Sequence, residues 1–484
     1  MKNKRIYQGG AYRPLTDEDI EKIHRASLQV FEEVGIEVRL QEARELFKKA
    51  GACIVANDPV VKIPADLVEE LLRHAPPCVT LYGRDEAGAY DCEIGGRNVY
   101  MGTGGTALNV QDPGADNSRR ATIEDVVAMA RLVEQLENIH FYMLNVYPNE
   151  LSADTVDVNR FGAALKYTRK HIMGGVYTKE GIRDVIKMTE IIVGGPRALR
   201  ERPVISMVTC VVSPLRLDEH YSGLTIEVAR QGIPVVVPAE PLCGATAPVT
   251  LAGTLVVQNV DTLAGVMLAQ LARQGTPVVY GSVASVADLA TMKYLSGAVE
   301  MGLLNAAAAQ MAQFYRLPYY ATAGMTDSKV PDAQAGYESA LTNLMVALAG
   351  GNFIHDAAGF IEFCLTASYD KLVMDNEIIG MVMRAVAGIE VNDETIALDV
   401  IKKVGPGGHY VSQRHTRRHM RNEQYVPDFC DRSDRVEWEQ GGSADARTRA
   451  TAKVREILGK PPESFIPDST MKEIFATIPN LKNL

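Results

Sequence analysis

VISMVTCVVSPLRLDEHYSGLTIEVARQGIPVVVPAE, residues 204–240, decides the fold. An apolar run rich in valine (204–212) leads through Ser213-Pro214 to Asp218, a residue suited to capping the helical stretch LDEHYSGLTIEVAR. Gly232 ends that stretch, and a second apolar run, VVVPAE, follows at 235–240. Strand, helix and strand in this order make one βαβ unit, and unbroken apolar runs are what strands covered on both faces need.

The same unit recurs on either side. Six further strand candidates are NVYMGT (98–103), FYMLNV (141–146), IMGGV (172–176), VVYGSV (278–283), YYATAG (319–324) and FIHDAAG (353–359). Helical patterns open between them at starts such as Thr122-Ile123-Glu124-Asp125 and Lys179-Glu180-Gly181. Eight such units over about 290 residues predict an α/β fold, a TIM (β/α)8 barrel, whose usual size is about 250 residues. A doubly wound open sheet is the alternative, but its six or so strands would leave strand-like runs unused. The expected organisation is a mainly helical N-terminal extension (1–95), the catalytic barrel (96–388) and a charged, helical C-terminal extension (389–484). In the first part, Thr16-Asp17-Glu18-Asp19 opens a helix that Gly35 stops, a second runs from Gln41 to Ala50, a third starts at Pro64, and VTLYG is strand-like.

Composition narrows the function. The formal charge is −10, from 50 lysines and arginines against 60 acids, with the basic residues dispersed, which argues against a nucleic-acid partner. Lys2-Asn3-Lys4-Arg5 is followed by no apolar segment, and no uninterrupted apolar run reaches about 18 residues, so neither a secretory signal nor a membrane span is expected. The seven cysteines are scattered without metal-ligand spacing, which fits reduced thiols in a cytoplasmic enzyme and predicts no metal site. HTRRHMR (415–421) is a basic island, read either as a solvated helix face or, through His415, Arg417, Arg418 and Arg421, as a docking surface.

A barrel carries its active site at the C-terminal strand ends. The candidates there are Thr103, Asn145, Tyr147, Ser213, Glu240, Tyr280, Ser282, Tyr320, Thr322, Asp327, His355, Asp356 and Glu362. Aromatic rings and carboxylates converging on a mouth suit a small cation, since ring faces attract a quaternary ammonium that offers no hydrogen bond. Tyr147, Tyr280, Tyr319 and Tyr320 are the expected cage, with barrel filling as the other reading of each. Glu240 closes an apolar strand between two prolines and is read as steering a cation, or else as a structural acid. His355 is placed to meet a substrate carboxylate, or else to be a hydrogen-bonded core histidine. GTGGTA (102–107) imitates a dinucleotide fingerprint, but LNVQDPGADNS after it is loop sequence, so its glycines are read as allowing close approach of a large flat ligand. DEHYSG (218–223) matches a cobalamin-binding pattern without the downstream signals of that module, and Asp218 is read as a helix cap.

Three separated stretches, GTGGTALNV (102–110), GATAPVTLAGTLVVQN (244–259) and GPGGH (405–409), resemble the trimethylamine methyltransferase family of corrinoid-dependent enzymes. The resemblance implies a TIM barrel that moves a methyl group from an amine to cob(I)alamin on a separate small corrinoid protein, in methanogenesis- or acetogenesis-linked methylotrophy. Among the matching residues is Glu240, taken as the catalytic position, and the strand-end residues Tyr147, Tyr280, Tyr320 and His355 are placed at the substrate. Gly102, Thr103, Gly104, Gly105, Gly407, Gly408 and His409 would let the corrinoid approach. Cobalamin would come with the partner, not be bound tightly by this chain; homo-oligomerisation is left open. Trimethylamine-specific members carry pyrrolysine, and this chain has only the twenty ordinary residues. A quaternary amine, which needs no activation because its leaving group is already a neutral tertiary amine, is the implied substrate. Glycine betaine, yielding dimethylglycine, is the first expectation. Proline betaine, carnitine and gamma-butyrobetaine are the alternatives, as is a non-catalytic quaternary-amine sensor.

Overall fold

Eight parallel strands stand where the apolar runs predict them: β1 (Tyr100–Thr103), β2 (Tyr142–Met143), β3 (Ile172–Gly175), β4 (Ile205–Val208), β5 (Val235–Ala239), β6 (Val278–Ser282), β7 (Tyr319–Thr322) and β8 (Phe353–Ala358). The computed structural model describes residues 6–54 and 58–482, so the basic stretch Lys2–Arg5 lies outside the described residues. From β2 to β8 each strand pairs with the next, and β8 returns to β1. The seam between β1 and β2 is closed by His140 N donating to Met101 O at 2.8 Å and by the Thr103 hydroxyl donating to Met143 O at 2.7 Å. The result is the TIM barrel.

The eight helices follow in alternation: α1 (Ile123–Gln135), α2 (Ala153–Tyr167), α3 (Lys179–Val193), α4 (Glu219–Gln231), α5 (Leu251–Ala272), α6 (Val299–Tyr315), α7 (Ala333–Ala349) and α8 (Tyr369–Val386). Their starts use the expected chemistry. Thr122 and Asp125 form a reciprocal capping box on α1, and Asp218 accepts from His220 N and Tyr221 N at the start of α4. His220 is therefore an exposed residue of a capped helix. α5 is long and apolar enough to cross a membrane by composition alone, with a mean hydropathy of 1.4, yet 72% of that window is buried in the wall of the barrel.

Side chains alternate across each strand, which separates two apolar regions. Outward residues such as Tyr142, Ile205, Val235, Tyr280 and Tyr319 pack under the helices. Inward residues, among them Phe141, Met173, Val236, Val279, Tyr320 and Phe353, fill the barrel. Its lower end is plugged by Val79, Leu81, Cys92 and Ile94 from the hairpin of Cys78–Leu81 and Cys92–Gly95. The N-terminal helix Asp17–Gln29 and the C-terminal helices Ala446–Leu458 and Asp468–Thr477 bury residues in the outer core, so both extensions pack on the barrel. The stretch after β1 departs from its reading as plain loop. Asn109–Gln111 and Ser118–Arg120 pair as an antiparallel ribbon, to which Thr366–Ser368 adds in parallel.

Candidate functional site

A cavity of about 340 Å³ opens at the C-terminal ends of the strands. β5 delivers Glu240 and β8 delivers His355 and Asp356, while Tyr320 and Met143 rise from the barrel interior and Gly105 and Thr106 edge it from the loop after β1. Of the residues expected from the sequence, Glu240, Tyr320, His355, Asp356 and Gly105 are brought together here.

Glu240 follows directly on β5. Its carboxylate faces the open cavity although protein surrounds it, so the group is poorly hydrated yet reachable. That desolvation, with the nearby charge of Asp356, pushes its pKa up to about 7, against an opposing pull from His355. His355 is held from several sides. Its Nδ1 lies 2.7 Å from Ala321 O, a carbonyl that can only accept, so Nδ1 carries a proton; Nε2 lies 2.9 Å from Asp356 Oδ2. Tyr320 stacks on the imidazole with centroids 3.9 Å apart. Asp356 has a φ of 59° at a register shift in the β8–β1 ladder, a costly backbone for a non-glycine residue, and its buried Oδ1 has no partner among the described residues.

Several expectations need correction. With both ring nitrogens engaged, His355 is not available to a substrate carboxylate. Tyr280 faces away from the cavity: its hydroxyl donates to Gln258 Oε1 and Asn259 Oδ1 on α5, and Tyr319, its register partner, bonds to Asn305 O on α6. Tyr147 stands one ring behind, edge-on to Tyr177 at 5.5 Å. Thr103 closes the barrel seam. The space left by the first glycines is taken by protein, since a Cβ on Gly102 would meet the Phe141 ring at 2.6 Å and one on Gly104 would meet Asp356 Oδ1 at 1.8 Å. Their role is close internal packing, not approach of a corrin. Gly407, Gly408 and His409 sit in an exposed turn of the C-terminal segment and do not line the cavity. Ser213 and Asp327 are likewise structural, the first donating to Asp261, the second accepting from Ser296 and Gly297.

The structure adds Tyr177, Tyr221, Tyr294 and Phe363 as aromatic walls, and Cys210 and Cys364 as thiols. Tyr177 lies one residue beyond the run IMGGV, and Tyr221 sits inside DEHYSG, where the histidine drew attention instead. Tyr294 comes from a hairpin (285–295) after β6 that carries no strong sequence signal. Although the Cys210 residue is exposed at the cavity, the protein around its thiol and the charge of Glu240 push it up to about 12, and desolvation with Asp356 and Glu240 raises Cys364 as well, so neither offers a thiolate. No lysine or arginine lines the cavity, and no cluster of three or more metal-ligating side chains occurs among the described residues.

The trimethylamine methyltransferase (MTTB) family model matches residues 3–482. The chain belongs to this family. As an MTTB member it is an amine methyltransferase. It is 37% identical over 471 residues to trimethylamine methyltransferase MttB of Desulfitobacterium hafniense (strain DSM 10664 / DCB-2), covering 97% of this chain and 93% of that one. It is 33% identical over 469 residues to the glycine betaine methyltransferase of Desulfitobacterium hafniense (strain Y51), covering 96% of each. Relatives of two substrates at such similar distance leave the choice of amine to the site. Among solved structures the hydroxylamine complex of MtmB aligns with 94% of this chain and 95% of its own at a TM-score of 0.50 and 14% identity, a likeness of fold.

Proposed function

We propose that this MTTB member takes a methyl group from a quaternary amine, glycine betaine first, and passes it to cob(I)alamin carried by a separate corrinoid protein, releasing the tertiary amine. The observation that carries the reading is the cavity itself: two carboxyl groups, Glu240 and Asp356, and the rings of four tyrosines and Phe363 line a space that no lysine or arginine enters. Such a lining favours a cation over a neutral or anionic ligand.

The chain's own part is to bind, orient and exclude. Ionised Glu240 attracts the ammonium, and the rings of Tyr177, Tyr221 and Tyr294, with Tyr320 beside them, wall the space its methyl groups would fill. No general acid is required, because a tertiary amine leaves neutral. The raised thiols of Cys210 and Cys364 stay protonated and do not compete for the methyl group. When docked over the mouth, the partner's cob(I)alamin supplies the nucleophile; holding the methyl group in line for it is a proximity effect, which can supply several kcal/mol. The chain's residues accommodate such a lid: Leu108, Val249, Leu289, Met292 and Leu365, on loops following β1, β5, β6 and β8, are exposed apolar side chains. His220, the histidine of the DEHYSG pattern, lies on the surface of a capped helix, so that stretch is not read as a corrinoid site. The test is a panel of amines with purified protein and a corrinoid acceptor, following conversion of Co(I) to methyl-Co(III). Glycine betaine or a related betaine should be converted. Turnover of trimethylamine alone would refute the proposal.

A further inference from the structure

Arg160, on α2, is a fully buried charge that the reaction as described leaves unused. Its Nη2 donates to Thr106 Oγ1 at 3.0 Å and to Leu144 O at 2.9 Å, its Nη1 reaches the Tyr177 hydroxyl oxygen at 3.5 Å, and its buried Nε has no partner. Among the described residues no carboxylate lies within ion-pair distance of it. Asp157, one turn back on the same helix, turns Oδ2 to the backbone N–H groups of Tyr177 and Thr178 and does not come within ion-pair distance of the guanidinium. A buried charge without a close partner is costly.

Two of the groups that Arg160 contacts, Thr106 and Tyr177, line the cavity. Because Thr106 and Tyr177 face the guanidinium with their oxygens, their hydroxyl hydrogens point elsewhere: that of Tyr177 meets no protein acceptor among the described residues, and that of Thr106 makes a long bond to Leu144 O at 3.4 Å, which a ligand carboxylate would take over. The backbone N–H groups of Gly105 and Thr106 also donate to no protein acceptor among the described residues. On the β1–β3 side the wall is therefore made of donors with a positive charge behind it, whereas Glu240 stands on β5, on the other side of the barrel mouth. Asp356 also lines the cavity; its Oδ2 is held by His355 and its Oδ1 lies against the backbone at Gly104.

We propose that Gly105, Thr106 and Tyr177, backed by Arg160, form an anion subsite that takes the carboxylate of a zwitterionic substrate while its ammonium faces Glu240. This rests on the reading of the cavity as a quaternary-amine site and narrows it to betaines. The carboxylate would meet two hydroxyl donors and the adjoining amides, and would supply the counter-charge that Arg160 lacks.

The experiment compares two ligands of similar shape, glycine betaine and ethyltrimethylammonium, which replaces the carboxylate by a methyl group. Affinities are measured by calorimetry for the wild type, Tyr177→Phe, Thr106→Val and Thr106→Ser, each checked for an unchanged melting temperature. The wild type should prefer glycine betaine. Tyr177→Phe and Thr106→Val should each weaken glycine betaine about tenfold, the usual effect of a lost hydrogen bond to a charged group, while ethyltrimethylammonium changes by less than about twofold. Thr106→Ser, which keeps the hydroxyl, should restore the preference. Equal affinity of the wild type for both ligands, binding of neither, or parallel loss of both in the variants would overturn the subsite. Methyl transfer in the same proteins reports separately on demethylation: turnover of both cations without preference would leave that reaction standing and remove the subsite alone.

Discussion

Glu240→Gln removes one charge from the cavity while keeping its shape, and the structure sets the size of the effect. A quaternary ammonium cannot approach a carboxylate closer than about 5 Å between charge centres, and at an effective dielectric of about 20 that pair is worth about 3 kcal/mol. Positive charge on nitrogen fades as the methyl group leaves, so about half of this, roughly 1.5 kcal/mol, survives in the transition state. The variant should therefore lose about tenfold in kcat/KM, with KM rising and kcat not falling. A second signature comes from pH. Glu240 is raised to about 7, and only its ionised form attracts the cation, so kcat/KM of the wild type should fall about fivefold from pH 8 to pH 6 as the group protonates, the neutral form keeping about a tenth of the activity. The sign follows from the charge: a cation favours the carboxylate, so binding strengthens as pH rises through 7. Glu240→Gln should be flat over this range. Steady-state kinetics with the corrinoid acceptor in excess read both. Unchanged kcat/KM in a variant of normal melting temperature, or an undiminished pH slope, would show the carboxylate to be structural.

Other consequences follow from the same geometry. Tyr320→Phe keeps the stack on His355 and loses only the hydroxyl contact to Met143 Sδ at 3.2 Å, so it should cost less than about 1.5 kcal/mol, whereas Tyr320→Ala opens the barrel core and should cost about 3–5 kcal/mol by denaturant unfolding. Gly104→Ala places a methyl group on Asp356 Oδ1 and should lower both melting temperature and turnover, while Gly175→Ala, with nothing within 4 Å of the added carbon, should leave the melting temperature within about 2 °C. The isolated chain should be colourless and free of cobalt by elemental analysis, and stoichiometric cobalt would contradict a partner-borne corrinoid. Arg418 already pairs with Glu394 at 2.7 Å, so if the basic island docks the partner, Arg417→Gln with Arg421→Gln should slow transfer to protein-bound corrinoid more than to free cob(I)alamin, and more strongly at low salt.

The barrel was legible because its strands are short, apolar and regularly spaced, and because capping residues such as Thr122 and Asp218 mark where helices begin. The facing of the tyrosines was not. When both sides of a strand are buried, the apolar pattern loses its alternation, and Tyr280, Tyr319 and Tyr320 read alike; only register, with Val279 and Tyr320 inward, puts Tyr320 in the barrel and Tyr280 and Tyr319 under helices. Glu240 was legible for the opposite reason, as the one carboxylate ending an apolar strand. The glycines of GTGG carried a real signal of close approach, but the approaching group is Phe141 or Asp356 of the chain itself. Thr106, Tyr177 and Arg160 escaped notice because each is unremarkable in its own segment; their relation exists only once β1, α2 and β3 are folded side by side.

The central claim is that this barrel moves a methyl group from a quaternary nitrogen to cobalt on another protein. A single-turnover reaction with methyl-labelled glycine betaine, limiting cob(I)alamin on a corrinoid protein and this enzyme tests it, with label on cobalt and dimethylglycine counted together. One labelled methyl-cobalt should form for each dimethylglycine released, and neither should form without the enzyme. Dimethylglycine without label on cobalt, or label arriving only from trimethylamine, would contradict the account.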